Sequence, residues 1–159
     1  MHIRKPKLLA LSVLVTQLVG TAGSIFTMGS LNNWYPDLIK PSYNPPSYVF
    51  GPVWIVLYTL MGISLYIVLL KDDKDPKVRF GVVLYFVHLA LNGVWSFLFF
   101  GIQQPFWALI EIAILFFVII FLMIVYYRID YRASFVLLPY LLWVGFATFL
   151  NYQIWKLNP

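Results

Sequence analysis

Five long apolar stretches, separated by short polar breaks, constrain this chain more than any other feature. They cover about 6–27, 46–70, 78–101, 105–127 and 133–155, and each is long enough as a helix to cross a hydrocarbon layer of ~30 Å. Inside a bilayer the backbone N–H and C=O groups have no water to bond. Such a chain therefore crosses as helices whose hydrogen bonds are internal. Composition points the same way: 62% of the residues are hydrophobic and 11% charged, against ~25% charged in an ordinary soluble domain. The expected fold is all-α, an integral membrane bundle of five transmembrane helices forming a single domain over 1–159. Cysteine is absent, which excludes disulfides and thiolate metal sites.

Prolines mark the helix ends. Pro52 lies in the first turns of the second helix, where a missing N–H is tolerated, and the polar run Lys71 to Pro76 closes that helix. Pro139 falls inside the fifth stretch and predicts a kink there or a start of regular helix near it. The small residues Thr21, Ala22, Gly23 and Ser24 resemble a signal-peptidase site. The apolar run before them exceeds the ~7–15 residues of a signal h-region, so the first helix is expected to be retained.

Nine of the eleven basic residues fall on one side of this topology: Arg4, Lys5, Lys7, Lys71, Lys74, Lys77, Arg79, Arg128 and Arg132. Only Lys40 and Lys156 fall on the other. The asymmetry predicts a cytoplasmic N-terminus and an outward-facing connection at 28–45. It also accounts for the net charge of +5 without a nucleic-acid partner. The partner that composition implies is the lipid bilayer.

That outer connection opens an unusual segment, Trp34 to Trp54, with Pro36, Pro41, Pro45, Pro46 and Pro52 among Tyr35, Tyr43, Tyr48 and Phe50. Prolines keep most of it out of the α conformation, so an ordered loop is expected, lying over something. The polar residues left in the helices suggest what that is. His88, Asn92, Trp95, Ser96 and Phe99 share one face of the third helix, as do Tyr140, Trp143, Ala147, Leu150 and Asn151 on the fifth and Trp54, Tyr58 and Met61 on the second. Three helices each offer a tryptophan beside a polar group, the lining expected for a flat hydrophobic ligand.

Glu111 is the one carboxylate within a span, and its depth places it nearer Asn92 or Ser96 than His88. A structural carboxyl is the simpler role for it. His88 reads first as a polar contact between helices, second as a ligand contact, and third as an axial haem ligand. No cluster for a resident metal and no nucleophile–base pair stands out, so no cofactor is required. Leu150, Tyr152 and Lys156 fit a loose sterol-contact pattern of high chance rate.

WYxxLxKPSxxPPxxVFGPVW, HLALNxxWSxxFF and LPYLLWxxFATxLNYxIWxxN together resemble the TspO/MBR family, the tryptophan-rich sensory proteins of bacteria and the translocator proteins of mitochondria, from about Trp34 to Asn158. The resemblance implies a five-helix bundle, commonly a homodimer, with a pocket opening toward the first loop. It implies porphyrin or haem as ligand, synthetic benzodiazepine-type compounds, and a sterol in animals. Carried onto matching positions, the pocket residues are Trp54, Asn92, Trp95, Trp143 and Ala147, with Tyr35, Pro45 and Pro46 in the lid; His88 joins them from the face drawn above. Trp54 and Trp143 match a pair implicated in light-dependent porphyrin breakdown and are the catalytic candidates. Two positions depart from the family: His88 stands where Gln is usual, and Tyr43 where Trp is usual. The first expectation is thus a receptor or sensor for tetrapyrroles in a bacterial or archaeal cell membrane. A porphyrin-degrading enzyme and a tetrapyrrole or sterol transporter are the alternatives, although the chain lacks the repeats usual in transporters.

Overall fold

The computed structural model describes residues 5–158, and Arg4 of the basic set lies outside them. Within that range the protein is all-helical, with five segments long and apolar enough to cross a membrane. Helix α1 covers Pro6–Asn32, α2 Ser47–Leu69, α3 Pro76–Ser96 and α4 Pro105–Ile129. The last crossing is made of two pieces, α5 (Tyr131–Val136) and α6 (Leu138–Leu157). The interruption at Leu137 precedes Pro139, whose missing N–H is harmless in the first turn of α6.

Two boundaries differ from the sequence expectation. Helix α1 runs on to Asn32 through Met28, Gly29 and Ser30, so the connection to α2 shortens to 33–46. The polar side chains there do not compete with the helix. Thr27 Oγ1 donates to Gly23 O at 3.2 Å, and Ser30 Oγ donates across to Phe100 O. Farther down, Ser12, Thr16 and Thr21 bond back to carbonyls four residues earlier, which satisfies their hydroxyls without water. Helix α3 ends in a wider π turn, Phe97–Gly101, closed by Ile102 N–H to Phe97 O at 2.9 Å. The turn re-aims Phe99 and Phe100 before the chain reverses at Gln103, whose φ is 56°.

The helices form a ring in the order α1, α2, α5/α6, α4, α3, with α3 returning to α1. Close approach of α1 to α2 depends on Gly62, where a Cβ would come within 2.6 Å of the Val13 backbone. The centre of the bundle is filled by Met61, Leu89, Leu115, Ile119 and Leu122 with the rings of Tyr85, Tyr126 and Tyr140. Gly81 is turned inward against Ile129 and Tyr126, while Ala90 on the same helix is exposed.

At the end opposite the 33–46 loop, Asp130 caps α5 by accepting from Arg132 N–H at 3.0 Å. Its carboxylate also pairs with the Arg132 guanidinium at 2.9 Å and Lys71 Nζ at 2.7 Å. The Arg132 hydrogen bond first, and Lys71 after it, hold the Asp130 carboxyl well below the usual carboxylate range. This ties the α2 terminus to the α4–α5 junction.

Candidate functional site

A cavity of about 400 Å³ lies beneath the 33–46 loop, between the loop-side halves of α1, α2, α3 and α6. Its volume is within the ~300–1,000 Å³ of typical small-molecule sites. Two chemically different walls enclose it. Helix α1 contributes Gln17, Gly20, Thr21, Gly23, Ser24 and Thr27, a stripe of small and hydroxyl-bearing residues. Opposite stand rings from α2 (Phe50, Trp54, Tyr58) and from the end of α3 (Trp95, Phe99, Phe100). Ala147, Leu150 and Asn151 of α6 complete that side, and Tyr35 closes the top. Among the described residues, none that lines the cavity carries a charge.

The rings are held by packing and by hydrogen bonds to the side chains of Asn92 and Asn151. Trp54 sits 5.3 Å from the Tyr58 ring and 6.4 Å from Tyr140. Tyr58 O–H donates to Asn92 Oδ1, and Asn92 Nδ2–H donates to Tyr140 Oη at 3.1 Å. Trp95 stacks on Phe99 at 5.3 Å and donates its indole N–H to Asn151 Oδ1 at 3.1 Å; Asn151 in turn donates to Pro105 O at 2.8 Å. Fixed rings with satisfied polar ends offer flat apolar faces at little entropic cost.

The side between α1 and α2 is not sealed. Thr21, Met28, Gly51 and Ile55 line the cavity and are also exposed on the outer surface of the bundle. Gln17 forms the lower edge of this opening, donating to Ile55 O at 2.9 Å and Thr59 Oγ1 at 3.0 Å.

The loop above is ordered by two devices. Lys40 folds back so that Nζ donates to the carbonyls of Tyr35, Pro36 and Leu38 at 2.6, 3.0 and 2.8 Å, 4.9 Å from the Tyr35 ring centre. Asn158, just past α6, exchanges two bonds with Ile39: Ile39 N–H donates to Oδ1 and Nδ2–H donates to Ile39 O, both at 2.9 Å. Tyr35 donates its hydroxyl to Asn44 Oδ1 at 2.9 Å, and burial pushes that phenol upward in pKa. Tyr43 lies flat on Phe149, ring centres 5.7 Å apart, so the loop also packs on α6 here.

Of the residues singled out from sequence, Tyr35, Trp54, Trp95 and Ala147 line the cavity, as does Leu150 of the sterol-contact set. Asn92 stands behind Tyr58, Trp143 packs behind Phe50 at 6.1 Å, and Pro45 and Pro46 belong to the loop without reaching the lining. Tyr152 and Lys156 are exposed. His88 is fully buried, its Nδ1 against Tyr85 O and its ring edge-on to Tyr85 and Tyr140. Among the described residues no histidine lines the cavity, so His88 is not placed to ligate a haem iron there. Glu111 is buried, and neither carboxylate oxygen has a hydrogen-bond partner among the described residues. Sequence reasoning assigned no site role to the α1 stripe or to Asn158. The stripe is readable from Gly20, Gly23, Ser24 and Thr27 at helical spacing.

A multi-pass membrane bundle with a loop-covered aromatic cavity is the class that these features define. The chain belongs to the TspO/MBR family, whose sequence profile matches residues 12–156. It is 44% identical over 151 residues to the tryptophan-rich protein TspO of Chlorobaculum tepidum, covering 95% of this chain and 96% of that one. It is 43% identical over 151 residues to the TspO of the archaeon Archaeoglobus fulgidus, covering 94% and 96%. The human translocator protein is 38% identical over 137 residues, covering 86% and 81%.

Proposed function

We propose that the protein is a receptor or sensor that binds a tetrapyrrole, protoporphyrin or haem, in the cavity beneath the 33–46 loop, with a sterol as a second class of occupant. The observation that carries the reading is the pairing of walls. Trp54, Tyr58, Trp95 and Phe99 offer flat apolar faces, and the α1 stripe opposite offers uncharged hydroxyls and an amide. A planar macrocycle stacks on the former while the latter admits polar edges without demanding a fixed charge. With no charge among the described lining residues, carboxylates of such a ligand belong under the loop, at the aqueous end of the cavity, where they stay solvated. No iron ligation is invoked.

Protoporphyrin titrated into the purified protein tests this. Tryptophan emission is expected to fall saturably, and Trp95→Phe and Tyr58→Ala are expected to weaken binding at least tenfold. No saturable quenching in the wild type would defeat the proposal. A second reading, light-dependent breakdown of the bound porphyrin, draws on Trp54 in the lining and Trp143 behind Phe50. Phe50 lines the cavity and bridges toward Trp143 at 6.1 Å. Illumination of the complex should then give a new absorbing product in the wild type and none in Trp54→Phe or Trp143→Phe. A transporter predicts ligand flux into proteoliposomes above background. The expected setting is a bacterial or archaeal cell membrane, N-terminus in the cytoplasm and loop outside, with the protein as a homodimer. Accessibility labelling and mass measurement in detergent check the orientation and the assembly.

A further inference from the structure

At the end of the bundle opposite the loop, a shallow groove lies on the outer surface between α4 and α5/α6. It is lined by Ile120, Met123 and Ile124 on one side and Phe135 and Leu141 on the other, with Arg128 and the buried Ser134 among its lining residues. Ile120, Ile124 and Arg128 follow at i, i+4 and i+8, so one stripe of α4 runs from apolar to cationic over about 12 Å. The groove is separate from the cavity under the loop and shares no residue with it.

Charge distinguishes this groove from ordinary lipid-facing surface. Three cations meet at this corner: Lys71, Arg128 and Arg132. Asp130 takes two of them, pairing with Lys71 at 2.7 Å and Arg132 at 2.9 Å. Those are the only ion pairs among the described residues, so the exposed Arg128 guanidinium has no acidic partner there. Arg128 lies in the last turn of α4, where it offsets the negative end of the helix dipole that would otherwise repel an anion.

We infer that this groove is a binding site for an anionic phospholipid of the adjoining leaflet. An acyl chain lies along Ile120, Met123, Ile124 and Leu141, and the phosphate pairs with Arg128. A guanidinium suits this partner because its forked N–H groups match phosphate oxygens. Basic pockets between transmembrane helices hold acidic head groups by the same combination of field and apolar contact. A zwitterionic lipid would fit the apolar part equally well but lacks the net charge that Arg128 selects.

The test is retention of lipid by the full chain, purified from bilayers of phosphatidylglycerol and phosphatidylcholine and weighed intact by mass spectrometry. The wild type is expected to keep one phosphatidylglycerol in preference to phosphatidylcholine. Arg128→Gln should reduce that preference about fivefold, the attraction of one basic residue for an acidic leaflet, whereas Arg128→Lys should retain most of it. Lys74→Gln removes an exposed charge at the same end but outside the groove, and should leave the preference unchanged. Ile124→Trp, at a position 48% exposed, fills the groove without touching the charge and should also release the lipid. Equal losses in Lys74→Gln and Arg128→Gln would mean diffuse surface attraction and overturn the site. So would equal retention of the two lipids by the wild type, or full retention in Ile124→Trp.

Discussion

Asn158 offers the sharpest test of how the loop is held over the cavity. Its side-chain amide makes two bonds to the Ile39 backbone, each 2.9 Å long, joining positions 119 residues apart. Hydrogen bonds of this kind contribute a net ~0.5–1.5 kcal/mol each, so Asn158→Ala should weaken loop attachment by about 1–3 kcal/mol. That corresponds to roughly 5- to 150-fold in the ratio of attached to detached loop. Hydrogen exchange at the Ile39 amide, which is itself one of the donors, reads this directly in protein reconstituted in nanodiscs. Its protection should fall by about that factor, while amides of the central α4 turn around Ile119 stay unchanged. Asn158→Asp keeps the acceptor for Ile39 N–H and loses the donor, so its effect should be intermediate. Unchanged protection of Ile39 in Asn158→Ala would refute the reasoning and leave Lys40, the Tyr35–Asn44 bond and the Tyr43–Phe149 stack to order the loop.

Other outcomes follow from the packing and the charges. Gly62→Ala drives a Cβ to within 2.6 Å of the Val13 backbone, and should lower thermal stability by about 1–3 kcal/mol by forcing α1 and α2 apart. Glu111→Leu removes a buried carboxyl whose oxygens have no hydrogen-bond partner among the described residues. It should raise the melting temperature, by the equivalent of about 1–3 kcal/mol; a fall would mean that the carboxyl has found a partner. Asp130→Asn keeps a capping oxygen but loses the two ion pairs, and should lower the melting temperature at neutral pH. The folded-state pKa of Asp130 is depressed, so its contribution is complete above the ordinary carboxylate pKa of ~4 and is lost as pH falls toward the folded value. The wild type should therefore lose stability on acidification below pH ~4, and Asp130→Asn should lose less over the same interval.

The five spans were legible because apolar length in a bilayer leaves few alternatives, and Pro139 marked the break in the last one. The faces of α2, α3 and α6 were legible from helical spacing, and from these Trp54, Tyr58, Trp95, Ser96, Phe99, Ala147, Leu150 and Asn151 reach the cavity. Depth was harder to read. Asn92 and His88 share a face with Trp95, yet they lie about one and two turns farther from the loop, where the Tyr58, Tyr85 and Tyr140 rings have closed the space. The end of α1 was hidden because Met28, Gly29, Ser30 and Asn32 look like a turn in sequence. Only tertiary partners such as Phe100 O show why the helix continues. The Asn158 clamp was beyond reach for a similar reason: nothing local to Asn158 or Ile39 signals a bond between them.

The unsealed side between α1 and α2 changes what a ligand's concentration means for this protein. On the proposed ligand-binding reading, a compound that dissolves in the acyl phase reaches Thr21, Gly51 and Ile55 from the membrane, and the quantity that governs occupancy is then its mole fraction in lipid. Apparent affinities expressed per litre of sample should then scale with the amount of bilayer supplied, growing weaker as lipid is added at fixed ligand. Detergent tails and free fatty acids enter the same balance as competitors for one compartment.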